Sequence, residues 1–181
     1  MDKPIAIITG ASSGIGRSLA IKLSNQYLIY LISRNKENLN KTKKLINAQN
    51  NDCQIIVSDV SKTESINNIY SKIEHKEKIE LLINNAGIGV FKNITDTTIE
   101  DWDNTLNTNL RGSFLMTKMI IDDLKANKNG KIVFISSVAG INPYKNSTAY
   151  VASKYGMRGF ASALREELRE FNIKVITVFP G

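Results

Sequence analysis

Six short apolar runs, each separated from the next by a longer amphipathic stretch, constrain this chain more than any other feature. They are Ile5 to Ile8, Leu28 to Ile32, Ile55 to Val57, Leu81 to Ile83, Ile132 to Ile135 and Val175 to Phe179. The runs are continuously apolar and rich in Ile and Val, the pattern of strands covered on both faces. After the first run, Ile15, Leu19 and Leu23 step at helical spacing. Before the last, Val151, Tyr155, Phe160, Leu164, Leu168 and Phe171 do much the same. Strand then helix, repeated, predicts parallel βαβ units and an α/β fold with a doubly wound parallel sheet. There is no internal repeat, low-complexity tract or Pro/Gly-rich linker, so residues 1–181 are expected to form one domain.

Composition narrows the function classes. With 181 residues, 42% hydrophobic and 23% charged, the chain suits one globular core. No apolar run approaches the roughly 20 residues that span a bilayer. The opening MDKPIAIITG carries an acid at position 2 and enters a strand-like run at once, which argues against a signal peptide. Cys53, the one cysteine, excludes an internal disulfide and suits a reducing cytoplasm. His75, the one histidine, sits in the charged run HKEKIE and reads as solvated, so no metal site is expected. A net charge of +7 would suit nucleic acid. The lysines, however, are scattered through NKENLNKTKK and YSKIEHKEK among acids and asparagines, without aromatic interleaving. Solvated helix faces explain them, and neither a nucleic-acid nor a membrane partner is expected.

The first apolar run ends in TGASSGIG, with Gly10, Gly14 and Gly16 opening the first helix. A tight strand-to-helix turn wants glycine for steric reasons alone. At the first βα turn, however, glycines also let the backbone approach a pyrophosphate, where free helix N–H groups and the helix dipole favour an anion. Ser12, Ser13 and Ile15 lie in the same loop. Toward the other end, AYVASKYG puts Tyr150 and Lys154 one helical turn apart, on one face. Such a pair is common on helix surfaces. A phenol has a pKa near 10, so proton exchange at neutral pH needs a nearby cation to favour the phenolate.

The order of motifs decides between these readings. TGxxxGIG is followed by NNAG (84–87, with Asn85, Ala86 and Gly87) after the fourth run. Asn109 lies in NTNLRGSF, Ser137 in ISSVAG after the fifth run, Tyr150 and Lys154 form YxxxK, and Pro180-Gly181 follows the sixth run. Over essentially its whole length the chain resembles the short-chain dehydrogenase/reductase family. The resemblance implies a Rossmann fold and a catalytic set of Asn109, Ser137, Tyr150 and Lys154. Tyr150 would be the general acid/base and Ser137 would hydrogen-bond the substrate oxygen. Lys154 would bind the nicotinamide ribose and lower the tyrosine pKa, and Asn109 would hold a proton-relay water. The implied cofactor contacts also include Gly10, Ser12, Ser13, Gly14, Ile15, Gly16, Asn85, Ala86, Gly87, Pro180 and Gly181.

The second run ends LIYLISRNKENL. An NAD-preferring site carries an acid about 20 residues beyond the glycines. Here the position is Ser33, followed by Arg34, which removes repulsion toward a 2′-phosphate and supplies a forked donor. NADP(H) is therefore the expected cofactor. Asp59 and Val60 resemble the family's adenine-contacting pair, although Asp59 would equally suit a cap on the helix that begins in SKTESI. The expected activity is NADPH-dependent reduction of a small-molecule carbonyl to an alcohol, or the reverse. A dinucleotide-binding module without turnover, used in redox sensing or partner binding, is the alternative. Family members normally continue beyond this Pro-Gly. The chain is therefore expected to be a fragment or a shortened member, with the last strand and most of the substrate-selecting region missing. The sixth strand would then be an open edge that lowers stability and promotes association, and a longer form is expected to be a homo-oligomer. Ile88 to Phe91 and Ile141 to Tyr144 are expected to line one pocket wall.

Overall fold

The computed structural model describes residues 3–181. Six strands alternate with six helices: β1 (Ile5–Thr9), α1 (Gly14–Leu23), β2 (Leu28–Ser33), α2 (Lys36–Asn47), β3 (Cys53–Val57), α3 (Thr63–Ser71), β4 (Ile79–Asn84), α4 (Ile99–Leu106), α5 (Gly112–Asn127), β5 (Lys131–Ile135), α6 (Thr148–Leu168) and β6 (Lys174–Val178). The strands form one parallel sheet in the order β3-β2-β1-β4-β5-β6. From β1 the chain winds outward in one direction through β2 and β3, then returns past β1 to wind the other way through β4 to β6. That reversal opens a crevice between the carboxyl ends of β1 and β4, where a doubly wound sheet has room for a ligand.

Successive residues of β1 serve opposite faces. Ala6 and Ile8 pack with Ala20 of α1 and with Leu39 and Ile46 of α2, whereas Ile5 and Ile7 belong to the core under α3, α5 and α6. Both sides of the inner strands are therefore dry, which is why their sequences are unbroken apolar runs. The expected strands are all present. β3 begins two residues before its predicted start, at Cys53, and β4 begins at Ile79. β6 departs from the two-faced pattern: Val175 is buried, but Ile176 and Val178 are exposed among the described residues.

The helices bury part of the stripes that the apolar spacing suggests, Leu164 and Leu168 among them, and small residues beside those stripes. On α1 the buried residues are Gly16 and Ala20, while Ile15 is exposed at the crevice. On α6 they are Ala149, Ser153, Lys154, Met157, Ala161, Leu164 and Leu168, and Tyr155 points outward. Small residues win these faces because a helix laid close against a sheet leaves little height for a side chain. α4 and α5 form one rod interrupted by a π-helical turn at Asn107–Arg111, where the Gly112 N–H donates to the Asn107 carbonyl five residues back. A capping box starts the rod: Thr98 Oγ1 accepts from Asp101 N–H at 3.0 Å, and Asp101 Oδ2 accepts from Thr98 N–H at 3.1 Å.

Candidate active site

A cleft of about 640 Å³ runs along the carboxyl ends of the strands. At one end lie Ser33, Arg34, Asp59 and Val60; its floor is the glycine loop; at the other end are Ser137, Tyr150, Lys154 and Phe91. Ser12, Ser13, Gly14, Ile15, Asn85, Ala86, Gly87, Pro180 and Gly181 also line it. Most of the residues singled out from sequence thus share one surface. Two do not face the cleft: Gly16 lies beneath the loop and Asn109 is fully buried.

The loop owes its shape to close approach. Gly10 has φ +65°, and a Cβ there would lie 2.8 Å from Asn85 Nδ2 and 2.9 Å from Ala86 Cα. A Cβ on Gly16 would meet the Gly10 carbonyl and the Asn85 amide directly. Asn85 accounts for the crowding. Its Nδ2 donates to the carbonyls of Thr9 (2.9 Å) and Gly10 (3.2 Å), while its own N–H and that of Ala86 donate to Thr9 Oγ1, each at 3.0 Å. The NNAG segment is therefore a brace under the glycine loop. A second brace was not read from the sequence. Arg17 donates to the Ser12 carbonyl and, from Nε, to Thr42 Oγ1 at 3.0 Å, and Thr42 Oγ1 donates to the Ala11 carbonyl at 3.0 Å. Only proximity in space links Arg17 to Thr42, so no sequence spacing announced it.

Gly14 differs from the other two glycines. Its φ is +50°, yet a Cβ there would meet nothing within 4 Å, so the open space lies toward the cleft. The first turn of α1 carries no acid, and Ser13 at its N-cap forms no side-chain cap. Free N–H groups, a helix dipole and room above them suit a pyrophosphate. At the end of β2, Ser12 Oγ and Ser33 Oγ hydrogen-bond at 2.9 Å. The guanidinium of Arg34 stays well exposed, 3.9 Å from Asp59 Oδ2. Asp59 does not cap α3, whose N-cap is Lys62; its Oδ1 instead accepts from the N–H (3.0 Å) and hydroxyl (2.8 Å) of Ser61.

At the other end, α6 places Tyr150 and Lys154 on one face as the spacing predicts. Lys154 is almost entirely buried, donating from Nζ to the Ile135 carbonyl at 2.8 Å and lying 5.6 Å from the centre of the Tyr150 ring. Burial pulls the lysine pKa down to about 8. No hydrogen bond holds the Tyr150 hydroxyl among the described residues, whereas the neighbouring Lys154, Ser137 and Asn109 side chains each make at least one. Ser137 Oγ accepts from Ala139 N–H at 3.1 Å, which leaves its own proton free to donate. Asn109 spends both of its donors and accepts once: Oδ1 accepts from Ile88 N–H (2.8 Å), and Nδ2 donates to the Ile88 carbonyl (2.8 Å) and Ser153 Oγ (2.9 Å). Ser153 Oγ in turn donates to the Tyr150 carbonyl at 2.7 Å. Asn109 thus ties the loop after β4 to the helix that carries Tyr150.

A family model described as short chain dehydrogenase matches residues 4–181, nearly the whole chain. The chain belongs to the short-chain dehydrogenase family. Among curated relatives, a sepiapterin reductase from Chlorobaculum tepidum is 34% identical, with 99% of this chain and 77% of the relative aligned. Among solved structures, a metagenomic short-chain oxidoreductase in complex with NADP is 32% identical with a TM-score of 0.93, covering 98% of this chain and 82% of that one. An actinorhodin polyketide ketoreductase crystallised with NADPH is 30% identical with a TM-score of 0.95, covering 99% of this chain and 70% of that one. Within this short-chain dehydrogenase, Phe91 and Thr108 also line the cleft. Ile141 and Tyr144 do not line it, but Tyr144 reaches its rim by stacking on Phe91. Among the described residues no group of three or more His, Cys, Asp or Glu is placed to hold a metal, and no helix is long and apolar enough to cross a membrane.

Proposed function

We propose that this chain interconverts a small-molecule carbonyl and the corresponding alcohol, with NADP(H) as its redox partner. The observation that carries the reading is the free Tyr150 hydroxyl, which shares one cleft with the glycine cradle and lies above the buried Lys154. When bound, the reduced nicotinamide supplies the hydride that reaches the carbonyl carbon. Tyr150 gives its phenolic proton to the carbonyl oxygen, which becomes the alcohol hydroxyl. Ser137 holds the same oxygen with the proton its own hydrogen bond leaves free. Lys154 favours the phenolate that remains and holds the ribose through the Nζ donors not spent on Ile135. Asn109 acts by position, keeping Ile88 and the Tyr150 helix in register with its side chain. A binding module without turnover would give the Tyr150 hydroxyl no task.

The loop glycines with Ser12, Ser13 and Ile15 would cradle the pyrophosphate, and Asn85 would act from beneath. Arg34 and Ser33 would meet the 2′-phosphate, Asp59 and Val60 the adenine, and Pro180 and Gly181 the carboxamide of the nicotinamide. The NADP and NADPH complexes of the two similar structures support the choice of cofactor. A reducing cytoplasm suits the buried free thiol of Cys53. The test is loss of NADPH absorbance over a panel of ketones, aldehydes and 3-oxoacyl thioesters. Turnover of at least one that disappears in Tyr150→Phe supports the reading. NADPH binding with no turnover across the panel returns the chain to the binding-module class.

A further inference from the structure

We infer that the carbonyl substrate carries a planar aromatic ring next to its carbonyl, and that Phe91 selects it; the inference rests on the reductase reading above. Phe91 lines the cleft beside Tyr150 and is still 60% exposed. Its ring is the middle member of a row of three. The Tyr150 ring lies 5.5 Å away at a tilt of 57°, and the Tyr144 ring 6.4 Å away and nearly parallel at 18°. These separations fall within the range in which aromatic rings attract one another through their faces and edges.

The placement of Phe91 depends on its neighbours in GIGVF. Its ring lies across Gly89, where a Cβ would come within 2.8 Å of Phe91 Cζ and 3.4 Å of Tyr150 Cδ2. Any other residue at 89 would push the ring off this seat. Tyr144 is steadied by a hydrogen bond from the Ser147 hydroxyl to its carbonyl. The adjacent cation, Lys92, is engaged with Asp101 at 2.7 Å. A wetted ring held in a fixed seat beside the proton donor is a stacking platform for another ring. A substrate ring resting on Phe91 would bring a carbonyl one bond away toward the Tyr150 hydroxyl. There the hydride reaches the carbon and the phenolic proton reaches the oxygen.

The test compares acetophenone with cyclohexyl methyl ketone, which has the same skeleton without the flat ring. Conjugation makes acetophenone the less electrophilic ketone, so a preference for it must come from recognition. The wild-type chain should favour acetophenone in kcat/KM. Phe91→Leu, which keeps apolar bulk but removes the π face, should lower the acetophenone-to-cyclohexyl ratio roughly fivefold through KM. Phe91→Tyr should retain the ratio and Gly89→Ala should lower it. Titration calorimetry with acetophenone, in the presence of NADPH, gives a second readout that needs no turnover. Binding that Phe91→Leu weakens, without reduction of any carbonyl, sinks the reductase reading and keeps the ring site. No acetophenone binding, or a ratio that Phe91→Leu leaves unchanged, overturns the inference.

Discussion

The two ends of the cleft are built on opposite terms. At the glycine-loop end the side chains that shape the loop from beneath are engaged within the protein: Asn85 on Thr9 and Gly10, Arg17 on Ser12, Thr42 on Ala11. At the tyrosine end the protein leaves groups unspent: a free phenol, a serine proton and an exposed phenylalanine ring. A site that binds the same dinucleotide in every turnover gains from a rigid cradle, because little ordering remains to be done on binding. A site that must pass a proton and admit a variable molecule needs groups with free valence. Rigidity and unspent capacity are therefore divided along one groove, and each variant below strikes one end.

The largest expected effect is at the unspent end. Tyr150→Phe should lower kcat by a factor on the order of 10³ while leaving the NADPH dissociation constant within about twofold, since general-acid catalysis contributes factors of this size. Stopped-flow reduction and fluorescence titration separate the two quantities. If both collapse together, the division between the ends is wrong.

Lys154 sharpens the comparison, because a buried ammonium at the tyrosine end costs stability. Its folded pKa of about 8 lies below the ordinary lysine value. Between about pH 8 and the unfolded value near 10.4, the unfolded chain therefore binds the extra proton. Stability should rise with pH across that window by about 3 kcal/mol from this residue, and the gain should be lost as pH falls back through 8. Cys53, pushed up to about 11 by burial, works in the opposite direction. The measurement is thus the difference in denaturant stability between wild type and Lys154→Met at several pH values. A difference that does not change with pH removes lysine burial as the cause.

At the cradle end, Arg34→Ala should weaken NADPH binding ten- to a hundredfold and NADH binding hardly at all, the loss expected for one charged hydrogen-bond partner. Equal losses would move the 2′-phosphate elsewhere. The smallest effect belongs to Gly14. Gly14→Ala meets no atom and should cost only the strain of a left-handed residue, about 1 kcal/mol in thermal unfolding. Gly16→Ala, whose Cβ would strike the Gly10 carbonyl, should cost more. The reverse order would mean that the braces yield easily.

Much of this was legible in the sequence. Unbroken Ile/Val runs mark strands dry on both faces, and the YxxxK spacing sets two side chains on one helical face whatever the tertiary context. Burial of helix stripes was legible only in part: Leu164 and Leu168 of the expected stripe are buried. In α6 the large residues Val151 and Tyr155 suggest the inner face, but the close seat on the sheet went to Ala149, Ser153 and Ala161. Hydrophobic period cannot register contacts that depend on small size. Nor could sequence show that Asn109 would engage its side chain on Ile88 and Ser153, since those partners lie 21 and 44 residues away. The Arg17–Thr42 brace escaped for the same reason, and Phe91 was visible only as one member of a presumed wall.

The π-helical turn at Asn107–Arg111 has a consequence for how the gene tolerates change. One more residue than an α-helix needs is stored there. Excising that extra residue, for instance Thr108, would let the turn relax into ordinary α-helix with α4 and α5 still in register, whereas the same deletion in either flanking helix would turn one side of the cut by about 100° relative to the other. Only the bulge would rearrange, and with it the seat of Asn109 on Ile88. Such a deletion removes no side chain engaged in the chemistry and leaves helix content nearly untouched. Its cost is confined to the tie between the loop after β4 and the Tyr150 helix, so the rod should accept the loss of a residue at this turn more readily than in the regular helix on either side.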